Sequence, residues 1–307
     1  VSQRLHQITR WLRADLGLPA FELVPASSDA SFRRYFRISF DDASRIVMDA
    51  PPEHEDVRPF AAVARALHEV GVNVPQVLAE APEAGLLLLS DLGSTSYLDA
   101  LNEESVERLY GDALGSLAVM QVCAPTRGLP PYDRELLNRE LALFTDWYLA
   151  RHLELTLSAA EEAMLARVFE LLVESALEQP QVFVHRDYHS RNLMVASHNP
   201  GILDFQDAVA GPITYDLVSL LRDAYIEWPR ARVDDWVMGY HDLALDSGLL
   251  RDRMEGQFMR WFDLMGAQRF FKVAGIFARL SHRDGKDGYL ADILAAFLDA
   301  RLLPAGA

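Results

Sequence analysis

Lysine is almost missing from this chain: only Lys272 and Lys286 occur. Nearly every positive charge is therefore a guanidinium, and no amine side chain precedes Lys272. Cysteine is as scarce. Cys123 stands alone, which excludes an internal disulfide and fits a reducing, cytoplasmic compartment. On the apolar helical stretch Leu114, Leu117, Met120 it reads as a core thiol. Excess basic charge is absent too. The formal net charge is −16, which disfavours nucleic-acid backbones and anionic membrane surfaces as partners. A small anionic substrate stays compatible, because a local arginine cluster overrides the global field. Long apolar runs are lacking. The longest charge-free stretch, residues 113–126, contains Pro125 and is too short to span a bilayer. No charged segment followed by an apolar run opens the sequence, so no signal peptide is expected. There is no internal repeat and no low-complexity segment.

What is present is core material. Half of the residues are hydrophobic and mean hydropathy is close to zero, which argues for a folded chain of one or two domains. Leu5, Ile8, Leu12 and Leu16 recur at helical spacing until Gly17 and Pro19. Residues 31–40 and 45–48 read as a hairpin broken at Asp41-Asp42-Ala43. A helix follows over 55–70, then strands over 74–80 and 86–89. After Asp91-Leu92-Gly93-Ser94, a linker-like run, the pattern turns helical over 103–122, 133–150, 158–179, 215–227, 232–245, 253–280 and 290–302. A β-type island over 182–185, 193–196 and 202–205 interrupts it. The expected class is α+β with two lobes. A small β-rich lobe spans 1–90, a hinge 91–94, and a larger, mainly helical lobe 95–307.

The island carries the chemistry. His185-Arg186-Asp187-Tyr188-His189-Ser190-Arg191-Asn192 joins two apolar strands, and Leu203-Asp204-Phe205 places another carboxylate at a strand end. Phosphoryl transfer needs a carboxylate to receive or orient a hydroxyl proton, oxygen ligands for a metal bridging phosphates, and positive groups for developing charge. Asp187 and Asn192 stand five apart, the D-x-x-x-x-N spacing of kinase catalytic loops. Asp204 follows twelve positions later. Amide and carboxylate oxygens suit Mg2+ better than a transition metal, so His185, His189 and His198 do not read as a metal site.

These motifs resemble the aminoglycoside phosphotransferase and choline kinase superfamily, across nearly the whole chain. The resemblance implies a two-lobed, protein-kinase-like fold using ATP and Mg2+. Asp187 would be the catalytic base, Asn192 and Asp204 the metal ligands, and Asp91 and Leu92 the backbone contacts to adenine. His185 and Asp216 would brace the loop. A narrower resemblance rests on Ser28-Asp29-Ala30-Ser31-Phe32-Arg33-Arg34-Tyr35-Phe36-Arg37 and Val47-Met48-Asp49-Ala50-Pro51-Pro52. Those segments look like bacterial anomeric sugar kinases of cell-wall recycling, which act on the C1 hydroxyl of N-acetylmuramic acid and N-acetylglucosamine. An aminoglycoside, choline-like or homoserine-like acceptor, or a regulatory pseudokinase, is the alternative.

One departure is plain. Kinases hold the nucleotide phosphates with a lysine on the third strand, and the small lobe here has none. The phosphate loop, residues 26–31 with Ser28 and Ser31, also lacks glycine. Arg33 and Arg34 are the candidate replacements, since a guanidinium can grip phosphate in bidentate fashion. For the acceptor, flat aromatic faces and polar forks single out His189, Arg191, Trp228 and Arg269. His189 reads equally well as a phosphate contact or a cap.

Overall fold

A computed structural model describes residues 2–27, 33–40, 43–286, 288 and 290. The expected phosphate-loop residues Ser28 and Ser31, and the helix expected over 290–302, lie outside this set or at its very edge. Two compact units emerge. One comprises Val1–Thr95 with Met194–Gln206, the other Ser96–Leu193 with Asp207–Ala307. Residues 194–206, expected with the larger lobe, pack with the first unit instead. The Ile202 N–H donates to the Asn73 carbonyl, the Val195 N–H to the Thr95 carbonyl, and Phe205 packs on Phe60 at 4.8 Å.

In the first unit, α1 (Ser2–Arg10) runs into a wider turn over Trp11–Asp15. An antiparallel sheet follows, in the order β1-β2-β3-β5-β4. Its strands are β1 (Glu22–Ser27), β2 (Arg34–Phe40), β3 (Ala43–Asp49), β4 (Val77–Ala81) and β5 (Leu86–Ser90). Helix α2 (Arg58–Glu69) intervenes after β3, with Pro59 in its first turn, where no N–H partner is needed. Strand alternation sorts the side chains. Phe36, Ile38, Val47, Leu86 and Leu88 meet Ile8, Trp11 and Leu12 of the N-terminal helix. Gly85 is obligatory in the turn before β5. Its φ is +64°, and a Cβ there would fall 1.9 Å from the Ala50 carbonyl oxygen.

The second unit is mostly helical. Its helices are α3 (Tyr97–Ala100), α4 (Val106–Cys123), α5 (Arg134–Leu143), α6 (Ala159–Leu177), α7 (Tyr215–Leu221), α8 (Arg230–Asp246) and α9 (Glu255–Asp284). Capping boxes start α3 at Ser96/Asp99 and α6 at Ser158/Glu161. Gly275 lets α9 press on α5, since a Cβ there would lie 2.3 Å from the Leu143 backbone. Short strand β6 (Gln181–Val184) pairs antiparallel with β9 (Val209–Pro212); a separate two-stranded pair joins β7 (Leu193–Met194) to β8 (Gly201–Ile202), the latter in the first unit. Cys123 is exposed rather than a core thiol. It ends α4 beside exposed Val122, off the face that buries Leu117, Met120 and Gln121. Among the described residues no helix is long and apolar enough to cross a membrane.

Candidate active site

Buried strand β6 delivers the chain into the loop at His185. From there nearly every backbone group is held. The fully buried Asp216, opening α7, accepts the N–H groups of His185 (2.6 Å) and Arg186 (3.0 Å). The His185 ring accepts the Asp187 N–H at Nδ1, 3.2 Å away, which puts its own proton on Nε2. The Asp187 carbonyl accepts from the His189 N–H and from Asn192 Nδ2 (3.0 Å). Tyr188, fully buried, donates its hydroxyl to the Ala113 carbonyl. Asp223 accepts the Ser190 N–H at 2.9 Å, and the Leu98 N–H donates to the Ser190 carbonyl. His185 and Asp216 thus hold the backbone at the start of the loop.

Arg186 is the most constrained residue of the loop. Its φ is +77°, a left-handed conformation that costs a non-glycine residue of order 1–3 kcal/mol. The surroundings fix its backbone N–H, its carbonyl and the end of its guanidinium. Its N–H goes to Asp216, its carbonyl accepts from Arg269 (3.0 Å), and its guanidinium pairs with Glu140 at 2.6 Å. Glu140 is itself buried, with Lys272 at 3.3 Å and the Tyr132 hydroxyl and Gln268 beside it. Burial would raise the Glu140 carboxyl, but Lys272 and Arg186 outweigh it and hold the group below its ordinary range. Lys272 also donates to the Tyr215 hydroxyl (2.7 Å).

The Asp187 carboxylate contrasts with this. Among the described residues no donor is hydrogen-bonded to it. Burial opposes its charge, yet Lys272, His189, Arg269 and His185 outweigh burial and hold its carboxyl below the ordinary range. It is a carboxylate held toward its charged form, on a loop whose backbone is fixed. Asp216 is the reverse: burial outweighs its two backbone donors and pushes its carboxyl up to about 7.

Asp204 belongs to the first unit. It too adopts a positive φ, +63°, and its side chain is half exposed. Gln206 Nε2 donates to its Oδ1 at 2.7 Å, and the Arg33 guanidinium stands 3.9 Å away. The donors expected to hold a divalent metal have the right chemistry. Asn192 spends its NH2 on the Asp187 carbonyl, which leaves its amide oxygen as the ligand-type atom, and Asp204 supplies a carboxylate. Among the described residues no group of three or more His, Cys, Asp and Glu side chains is placed to hold a metal.

The other expected site residues divide. Arg33 pairs with Glu55 at 2.7 Å and lies beside Asp204. Arg34 is not brought there; it is bound to the fully buried Asp49, which Arg4 also holds. Asp91 uses its carboxylate on Arg37 and on the Gly93 N–H, so only its backbone and that of Leu92 remain for a ligand. His189 and Arg191 both meet the Tyr225 ring, Arg191 stacking at 3.7 Å. Trp228 donates to the Tyr110 hydroxyl within a cluster with Trp236. Arg269 reaches the loop, but as a donor to its backbone, stacked on Tyr215. Sequence reasoning missed Glu140, Asp223 and Lys272. Lys272 alone carried a signal: a rare lysine amid the aromatic residues of a long helix.

Comparisons with known proteins agree with this geometry. Residues 22–256 match the phosphotransferase enzyme family. The N-acetylmuramate/N-acetylglucosamine kinase of Pseudomonas aeruginosa is 50% identical over 300 residues, covering 94% of this chain and 89% of that protein. Among solved structures, the ethanolamine kinase of Plasmodium vivax aligns with a TM-score of 0.67 at 12% identity, over 96% of this chain and 87% of that one. The ADP-bound aminoglycoside phosphotransferase APH(2'')-Ib aligns with a TM-score of 0.63 at 12% identity, over 96% and 98%. These two likenesses establish the kinase-like fold expected from the sequence.

Proposed function

The chain belongs to the phosphotransferase enzyme family, and we propose that it is an ATP-dependent sugar kinase acting on the anomeric C1 hydroxyl of N-acetylmuramic acid and N-acetylglucosamine. The observation that carries the chemistry is Asp187. Its carboxylate is ionised, accepts no hydrogen bond among the described residues, and sits on a loop whose backbone is fixed. Such a group orients the acceptor hydroxyl and receives its proton as the oxygen attacks the terminal phosphate of ATP. The acceptor class follows from the curated relative.

Asn192 and Asp204 are the residues that would hold Mg2+, which when bound offsets charge on the phosphates. The backbone of Asp91 and Leu92 serves adenine. The single thiol fits work in a reducing cytoplasm. The test is an acceptor screen with coupled ADP detection, offering both amino sugars, an aminoglycoside, choline and homoserine. The two amino sugars are expected to accelerate ATP consumption, and phosphorus NMR of the product to show a C1 phosphate. Acceleration by the cationic acceptors alone would overturn the assignment. ATP turnover with none of them would point to a regulatory nucleotide-binding module.

A further inference from the structure

In a chain with 45 acidic side chains against 29 basic ones, an arginine without an acidic partner stands out. The loop over residues 185–192 and the run over 215–232 hold five arginines. Four of them meet a carboxylate. Arg186 pairs with Glu140, Arg222 with Asp263, Arg230 with Asp234 and Asp263, and Arg232 with Glu103 and Glu107. Arg191 meets none among the described residues. Its side chain is exposed, and its guanidinium lies over the Tyr225 ring, 3.7 Å from the centroid. A guanidinium stacked on an aromatic face keeps its rim of N–H donors clear of the ring.

The stack is a built feature. Tyr225 lies in the turn after α7, close to the buried Asp223. One oxygen of Asp223 accepts the Ser190 N–H at 2.9 Å and the other accepts the Tyr225 N–H at 3.1 Å. A single carboxylate thus fastens the residue before Arg191 to the residue beneath its guanidinium. His189 packs on the same ring, with centroids 5.6 Å apart, and stands near enough to Asp187 to help hold that carboxyl below its ordinary range. Tyr225 therefore backs two side chains of the loop, one beside the Asp187 carboxylate and one with guanidinium donors to offer. All of these residues belong to the second unit. A guanidinium already ordered in this way loses less freedom when it takes a ligand.

The two sugars named for the Pseudomonas aeruginosa kinase differ in charge. N-acetylglucosamine is neutral, whereas N-acetylmuramic acid carries a lactyl ether that ends in a carboxylate. A site that takes both needs a cation for the acid that does no harm when the acid is missing. A buried arginine would be left unpaired by the neutral sugar, at a high cost. An exposed one returns to water. We propose that Arg191, held on Tyr225, binds the carboxylate of N-acetylmuramic acid through its planar fork and sets the preference for the acidic over the neutral sugar. This rests on the sugar-kinase reading above.

The test is the ratio of kcat/KM for N-acetylmuramic acid to that for N-acetylglucosamine, measured by coupled ADP detection in the parent and three variants. In Arg191→Gln the ratio should fall about 10-fold, equivalent to roughly 1.4 kcal/mol. The loss should lie in KM for the acid, because a carboxylate remote from the reacting hydroxyl is bound alike before and during transfer. Arg191→Lys keeps the charge without the fork and should retain part of the ratio, and Arg191→Glu should lower it furthest. Added salt should reduce the parent's ratio more than that of Arg191→Gln. An arginine that served ATP or the transferred phosphate would instead slow both sugars alike. A parental ratio in folded Arg191→Gln, or equal losses in Arg191→Lys and Arg191→Glu, would overturn the proposal while both sugars remain substrates. A parent that phosphorylates N-acetylglucosamine but not the acid would overturn it too. Turnover of neither sugar would bring down the acceptor reading and this assignment together.

Discussion

Among the described residues, three non-glycine residues have positive φ, and two of them, Arg186 and Asp204, fall in the expected site: one just before Asp187, the other the expected metal ligand. Strain of this kind persists only where surroundings over-determine it. Around Arg186 they do so through Asp216, Arg269 and Glu140. The Asp187 carboxylate accepts no hydrogen bond among the described residues. Replacing Asp187 with Asn should therefore lower kcat by roughly 10²- to 10⁴-fold, the usual worth of general-base help, while AMP-PNP affinity stays within a small factor. Near-parental turnover by this variant would remove Asp187 from the mechanism. At this scale the sequence offers candidates where chemistry and spacing coincide, at Asp187, Asn192 and Asp204. It was uninformative where function depends on a distant partner. Arg269 was singled out for its fork, toward a sugar, but its donor edge faces the loop backbone 83 positions earlier. Glu140 looks like any helix-surface acid until Arg186 and Lys272 close over it.

At the level of elements, the long helices and the central hairpin were legible because their apolar periods are clean. Two strands were not. β1 contains Pro25, which argues against a strand; the structure tolerates it because β1 is the sheet edge, and the register shifts there. β9 is short and holds Gly211 and Pro212. Helix α7 was expected to reach residue 227 but ends at Leu221. The reason is Asp223, which turns inward to accept the Ser190 and Tyr225 N–H groups. Ending the helix early thus gives the loop over residues 185–192 an anchor. Asp223→Ala leaves a buried N–H without its partner, which costs about 1–3 kcal/mol. A lower urea midpoint with unchanged m-value is expected, together with a reduced kcat. A parental midpoint would show that the anchor is dispensable.

For the whole molecule, the strongly negative net charge coexists with a few interior sites where protons decide stability. Asp216 is the clearest. Its folded value of about 7 lies above the ordinary carboxylate value, so between about pH 4 and 7 the folded state keeps a proton that the unfolded state has released. Its contribution to stability is complete below that window and declines as pH rises through it. Asp216→Asn removes this dependence. The Tm of the variant minus that of the parent should rise steadily from pH 4 to pH 7, and a flat difference would contradict the buried, protonated Asp216.

The segment Met194–Gln206 has a consequence for how the protein is made. It is built into the first unit, yet a ribosome delivers it only after all of Ser96–Leu193 has been synthesised. Until then the Asn73 and Thr95 carbonyls lack their partners, and Phe60 lacks the ring of Phe205. The nascent first unit must therefore wait, incomplete, while Ser96–Leu193 is made, although the five strands of its sheet are already in place in the chain. The aspartate expected to hold the metal arrives in the same stretch that closes the sheet's unit, so completing that unit and installing its metal ligand are one event.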